Sequence, residues 1–259
     1  MLLHLGDLVT DNNSSNFETG KMAAPLLTFA VKEESRPFQT LIGTRSDLRV
    51  LLTGIGQRNA ERAIRGALAE PSPKFVLTCG FAGGLNPALS IGTVVFSADE
   101  KVRSRRGNEA DSPLNVQAPP PYVGGYESSL SAALLASGAR PAKFHCAEKV
   151  AVTAEEKRAL WASTGADAVE MESGVIRAIC HEHNIPSATV RVISDAANEN
   201  LPFDFNRLTD ANQNLSYGKL ALASLKSPGK ISALLKLQKQ TRLAAEKLAE
   251  VLVRVCQRV

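Results

Sequence analysis

Apolar residues fall in short blocks separated by polar turns. "PLLTFAV" (25–31), "DLRVLLTGIG" (47–56), "KFVLTCGFAGGL" (74–85), "GTVVFSA" (92–98), "KFHCAEKVAVT" (143–153) and "SATVRVISD" (187–195) read as strands of buried type. Between them the period changes to that of a helix. Residues 58–70 repeat alanine, isoleucine and leucine until Pro71 and Pro73 stop them, and residues 127–139 form a second helical stretch. "AEEKRALWAST" makes a third, with Thr153 as N-cap and Glu156 at capping-box spacing. Residues 173–184 put Val175, Ile176, Ile179 and Cys180 on one side and end at Pro186. From residue 229 Ile231, Leu234, Leu235, Leu248, Val251, Leu252 and Val255 mark a long amphipathic helical region with a possible break in its middle. Strands alternate with helices and no repeat appears. This pattern predicts one α/β domain with a largely parallel sheet covered on both faces.

Two stretches fall outside it. Residues 1–24 are polar and turn-rich, and we expect a flexible arm ahead of a domain spanning 25–259 with a C-terminal helical extension. Residues 99–126 are basic and then proline-rich, which predicts a long loop or lid. Composition is that of an ordinary globular chain, with 44% hydrophobic and 22% charged residues. A net charge of +4 is too mild to mark a nucleic-acid surface, and "KVRSRRG" has no interleaved aromatics, so no nucleic-acid partner is expected. The four cysteines are scattered with no CxxC pair and read as buried thiols in a reducing compartment. No run has the length of a membrane span, and "MLLHLGDLVTD" lacks the basic start of a signal peptide. The expected location is therefore cytoplasmic. "HEHN" (181–184) sits at a helix end without a third ligand, so no metal site is expected.

In parallel sheets ligands lie outside the carboxyl ends of the strands. That rule places Lys32, Glu33 and Glu34, then "TGIGQR", "CGFAGGL", "EMES" and "RVISD" on one rim. "GIGQRNAERA" lacks the third glycine and the downstream acid of a dinucleotide fingerprint, and there is no GxxxxGK[ST]. Gly54 and Gly56 are expected to make a tight strand-to-helix turn.

"LLTGIG", "CGFAGGLNPALSIGTVV", "AVEMES" and "VRVISDAA" stand in the order and spacing of the nucleoside phosphorylase/nucleosidase superfamily, and residues 25–220 resemble it. The closest pattern resembles methylthioadenosine/adenosylhomocysteine nucleosidases and hopanoid-associated adenosyl phosphorylases. The resemblance implies a twisted, mixed sheet in a single domain, often a homodimer, and an enzyme that breaks the bond between a purine nitrogen and the ribose anomeric carbon. Asp195 matches the acid that protonates purine N7, though it also fits a helix N-cap. Glu172 matches the residue gripping the ribose hydroxyls, where a negative charge at a helix start would be favoured anyway. Met171 matches the residue under the sugar, and Glu34 the glutamate that activates water, although Glu34 equally fits a surface helix start. Arg191 and Ser194 match groups supporting the aspartate, though Arg191 equally fits a structural pairing with Glu172 or another acid. Gly83, with Ala82 beside it, matches backbone that approaches the ligand. Glu170 reads as structural or solvent-facing.

Two positions depart from that pattern. Phe81 stands where the related enzymes carry serine or threonine, although its ring could stack on a base. Val150 is nearest to the position of a missing aromatic platform. "EKVAVT" and the spacing K-R-A-L-x-x-x-x-G-A after it resemble the hopanoid-associated branch. The leading expectation is hydrolysis of an adenine nucleoside, with a substituted 5′ carbon and no cofactor. The alternatives are phosphorolysis, with phosphate as co-substrate held by Lys32 or Arg58, and a nucleoside-binding protein without turnover.

Overall fold

Unbroken apolar runs need cover on both faces, and the chain supplies helices for each. The computed structural model describes residues 24–69, 71–98, 123–208 and 217–259. The arm expected at 1–24 lies outside the described residues except for Ala24, and the loop expected at 99–126 lies outside them as far as residue 122.

The strands are β1 (Leu26–Phe29), β2 (Arg49–Leu52), β3 (Val76–Gly84), β4 (Val94–Ala98), β5 (Arg140–Pro141), β6 (Phe144–Cys146), β7 (Ala168–Glu170) and β8 (Ser187–Asp195). The helices are α1 (Lys32–Ile42), α2 (Gln57–Leu68), α3 (Val123–Ala136), α4 (Ala154–Thr164), α5 (Ser173–Glu182), α6 (Tyr217–Lys226) and α7 (Ile231–Cys256). One sheet runs β2-β1-β3-β8-β4-β5, with β7 attached to β3 and β6 to β7. β4 is antiparallel to β8 and β7 is antiparallel to β3, while the other pairings are parallel. The sheet is therefore mixed.

β3 and β8 lie side by side at its centre, and all nine residues of β8 are buried. Leu77, Cys79, Val190 and Val192 pack against Phe38 of α1, Leu134 of α3 and Leu248 and Leu252 of α7. A second cluster joins Leu26 and Val76 to Ile64 of α2 and to Ile176 and Ile179 of α5. A register shift between Ala82 and Gly83 places Gly83 opposite Asp195, so the last turn of the two strands is re-aimed at the rim.

Several expectations are corrected. α1 was anticipated only as a helix start at Glu34, and its extent was not, because its first turn is charged and Pro37 lies inside it. α3 starts at residue 123 rather than 127 and stops at 136. The strand expected over 143–153 shrinks to β6. Beyond it Val150 pairs through its backbone with Asn206, and the Val152 carbonyl accepts the Leu201 amide. α6 was not foreseen either. α7 is unbroken, and its second half belongs to the main core rather than to an appendage. The cap of α4 matches its prediction: Thr153 Oγ1 accepts the Glu156 amide at 3.1 Å, and Glu156 Oε2 accepts the Thr153 amide at 3.0 Å. Among the described residues no helix is long and apolar enough to cross a membrane.

α7 supplies a direct test of the core assignment. Leu252 is fully buried, whereas Leu243 is 51% exposed on the same helix. Leu252→Ala should lower unfolding free energy by about 2–5 kcal/mol in a urea titration. Leu243→Ala should stay within about 0.5 kcal/mol. Equal losses would contradict this placement of α7.

Candidate active site at the rim of the sheet

Strand alternation turns Arg191 toward the same face as Gly80, its register partner on β3. The side chain is 1% exposed. Its Nη2 donates to Glu170 Oε2 at 2.5 Å and lies 3.5 Å from Glu172 Oε2, and Nη1 donates to the Cys79 carbonyl at 2.9 Å. Nη2 also reaches Thr78 Oγ1 at 3.2 Å, while Nε has no partner among the described residues. Burial works against the charge on Arg191, but Glu170, then Glu172 and Glu34, outweigh it, and the guanidinium is held in its charged form.

Glu170 is neither solvent-facing nor idle. Besides Arg191 it accepts the Glu172 amide (3.0 Å), the Ser173 amide (2.8 Å) and the Ser173 hydroxyl (2.6 Å) at the start of α5. Burial opposes its charge, yet Arg191 and these donors together bring its pKa below the usual carboxylate value. Glu172 is held from another element, accepting the Gly56 amide at 2.9 Å. Gly54 and Gly56 do form the tight turn into α2, both at positive φ, and that turn also fastens the second acid of "EMES".

Glu34 is buried at the start of α1. Its Oε2 accepts the amides of Ala30 (2.8 Å) and Val31 (3.2 Å), and its Oε1 accepts the amide of Phe81 (2.8 Å). Glu34 does stand at a helix start, but it is buried there rather than on the surface. A Cβ on Gly80 would stand 2.6 Å from Glu34 Oε1 and 2.5 Å from Arg191 Nη1, so only glycine lets these groups approach β3. Phe81 enters through its backbone N–H. Its ring packs against the Leu77 and Cys79 cluster and lines a groove between α1 and α7.

Asp195 ends β8 with both carboxylate oxygens occupied. Ser194 Oγ lies 2.7 Å from Oδ1 and Lys157 Nζ 2.5 Å from Oδ2. Gly83 packs against it, where a Cβ would come within 3.3 Å of Oδ2. The buried Ala82 offers its carbonyl to Ser194 at 3.3 Å. Met171 is half-buried between the two acids. Val150 is tied to Asn206, outside this hydrogen-bonded cluster. Lys32 and Arg58 are exposed. Reasoning from the sequence missed Lys157, whose only signal was the K-R-A-L-x-x-x-x-G-A spacing. Among the described residues no group of three His, Cys, Asp or Glu could hold a metal ion.

The rim therefore joins the Ser194–Asp195 pair to buried glutamates around one cation. A sequence model of the phosphorylase superfamily matches residues 14–226. The chain belongs to the phosphorylase superfamily of enzymes. Within the superfamily it is 26% identical over 168 residues to a 5′-methylthioadenosine/S-adenosylhomocysteine nucleosidase of Shewanella halifaxensis (strain HAW-EB4), a match covering 62% of this chain and 73% of that protein. Futalosine hydrolase of Helicobacter pylori strain 26695 shares the fold with a TM-score of 0.62 at 16% identity, over 92% of this chain and 99% of that one. A 5′-methylthioadenosine/S-adenosylhomocysteine nucleosidase from Colwellia psychrerythraea 34H, solved with adenine, superposes with a TM-score of 0.61 at 16% identity, over 92% and 96% of the chains.

Glu172 gives the site a measurable pH signature. Burial pushes its pKa up from 4.5 to about 7, against the pull of Arg191 and with a further push from the Glu170 charge. Between those two values the folded protein holds a proton that the unfolded chain has released. Stability from this group is thus fully present below the lower value and is lost as pH rises toward the upper one. Glu172→Gln cannot ionise, so its stability should fall less than the wild type's between about pH 5 and about pH 8 in urea titrations. Identical slopes for the two proteins would contradict the assignment.

Proposed function

We propose that the protein hydrolyses the N-glycosidic bond of a purine nucleoside, a 5′-substituted adenosine, and releases adenine. The carrying observation is Glu34: a buried carboxylate, fastened by three backbone amides, next to Phe81 rather than a hydroxyl. Burial raises its pKa despite the opposing Arg191 charge and amide hydrogen bonds, which makes it a stronger base than an exposed glutamate. Phosphate would need donors at this place and would meet a negative charge instead. The names of the relatives, two nucleosidases and a hydrolase, support water as the acceptor, and the complex with adenine supports the base.

In this reading water attacks the anomeric carbon while Glu34 accepts its proton. The bond from that carbon to purine N9 breaks, its electron pair goes to the base, and Asp195 delivers a proton to N7. Glu172 accepts hydrogen bonds from the ribose hydroxyls, and Met171 lies under the sugar. The glutamates leave negative charge near the sugar as it becomes cation-like.

Adenine release should proceed in phosphate-free buffer and yield free sugar. Glu34→Gln should abolish release while nucleoside binding persists. Asp195→Asn should cut turnover by roughly 10²–10⁴. Strict dependence on phosphate, with a sugar phosphate as product, would overturn the choice of water. Nucleoside binding with no base released under either condition would mark a binding protein.

A further inference from the structure

Lys157 lies one turn into α4, between Glu156 and Arg158. It is 0% exposed. An ammonium has three donors and no acceptor. Lys157 uses all three, on Asp195 Oδ2 at 2.5 Å and on the carbonyls of Ala196 and Glu199, each at 2.9 Å. It therefore grips the side chain that ends β8 and the backbone that follows it. α4 is rigid at this point, because the Lys157 amide closes the first turn onto the Thr153 carbonyl and the capping box fixes that turn. From the other side Glu199 is held by Lys236 of α7 at 2.7 Å. The segment 195–199 is thus pinned between two helices.

We infer that Lys157 is a positioning residue for Asp195: it orients the carboxylate toward the leaving base and stabilises the anion formed when the proton has gone to the purine. The inference rests on the reaction proposed above. A structural requirement alone does not explain the residue, since a buried ion pair is often replaceable by apolar side chains without loss of stability. The arrangement differs from an apolar filler in two ways. The ammonium holds Oδ2 while Ser194 Oγ meets Oδ1, so each carboxylate oxygen has its own partner. It also places a positive charge beside the carboxylate on the leaving-group side, where release of the proton creates an anion in a buried setting. The proton itself travels from Asp195 to purine N7, and Lys157 remains charged throughout.

The test is a double-mutant cycle on base release with Lys157→Met, Asp195→Asn and the two combined, together with Lys157→Arg. Lys157→Met should lower kcat by about 10- to 10²-fold, a part of the acid's full worth, with KM changed far less. In the Asp195→Asn background the same change should cost nothing further, because the neutral amide no longer forms an anion. Lys157→Arg keeps the charge and should recover part of the loss. Equal fold-losses in both backgrounds, or an unchanged kcat in Lys157→Met, would overturn the inference. If Lys157→Met fails to fold because Asp195 is left unpaired, the combined variant carries no unpaired charge. Its kcat should then equal that of Asp195→Asn, and a further drop would overturn the inference. A wild-type protein that releases no base from any nucleoside fails the reading of function itself, and this assignment falls with it.

Discussion

Arg191 stands in the most buried strand of the sheet with its guanidinium against Glu170, near Glu172 and beside the Gly80 gap that Glu34 also fills. A charge in such a place persists only if it is paired, and removing one partner of a buried pair costs about 3–5 kcal/mol. The surrounding sequence follows from that requirement. Position 80 must be glycine for the groups to meet. Glu170 answers the guanidinium most closely and also caps α5 through Ser173. Glu172 and Glu34 share what is left of the positive charge and are fastened mainly by backbone amides from the turn at Gly56 and from Phe81. One cation facing three carboxylates leaves a surplus of negative charge. Burial raises the proton affinity of Glu172 against the pull of Arg191, and the charges of Glu170 and Glu34 add to that rise.

β8 carries two different environments at once. Arg191 holds the buried glutamates. Four residues on, Asp195 is held by Ser194 and Lys157. Because β8 is paired with β3 and β4 on its two edges and buried on both faces, the spacing between these environments is set by the backbone and not by loops. The register shift at Gly83 then turns the end of the strand toward the ligand side. Arg191 and Asp195 are thus placed by one strand, while Glu34 of α1 and Glu172 ahead of α5 are brought to it by hydrogen bonds from other elements.

Much of this was legible in the chain. β1, β3 and β8 were visible because long apolar runs admit no other burial, and the convergence of Glu34, Gly56, Glu172 and Asp195 on one rim followed from the polar ends of those runs. The rest was hidden for identifiable reasons. α1 carries charges in its first turn and Pro37 in its body, so no helical stripe showed. Lys157 looks like any lysine on a short polar helix, and its burial depends on β8 arriving from almost forty residues away. Glu170 resembled a spare charge because its partner, Arg191, lies on another strand. Phe81 was read through its ring, yet its amide is the group that meets Glu34. In each of these last cases a long-range contact, absent from any local pattern, decides what the residue does.

The central claim is that the glutamates around Arg191 hold more negative charge than the guanidinium neutralises, and hold it where the sugar sits. Equilibrium affinities for two isosteric adenosine analogues test it most directly, one with a protonated nitrogen in the sugar ring and one with a neutral ring. The account predicts that the cationic analogue binds more tightly by on the order of 10² or more, as expected for a mimic of the transition-state charge. Equal affinities, or tighter binding of the neutral analogue, would contradict it.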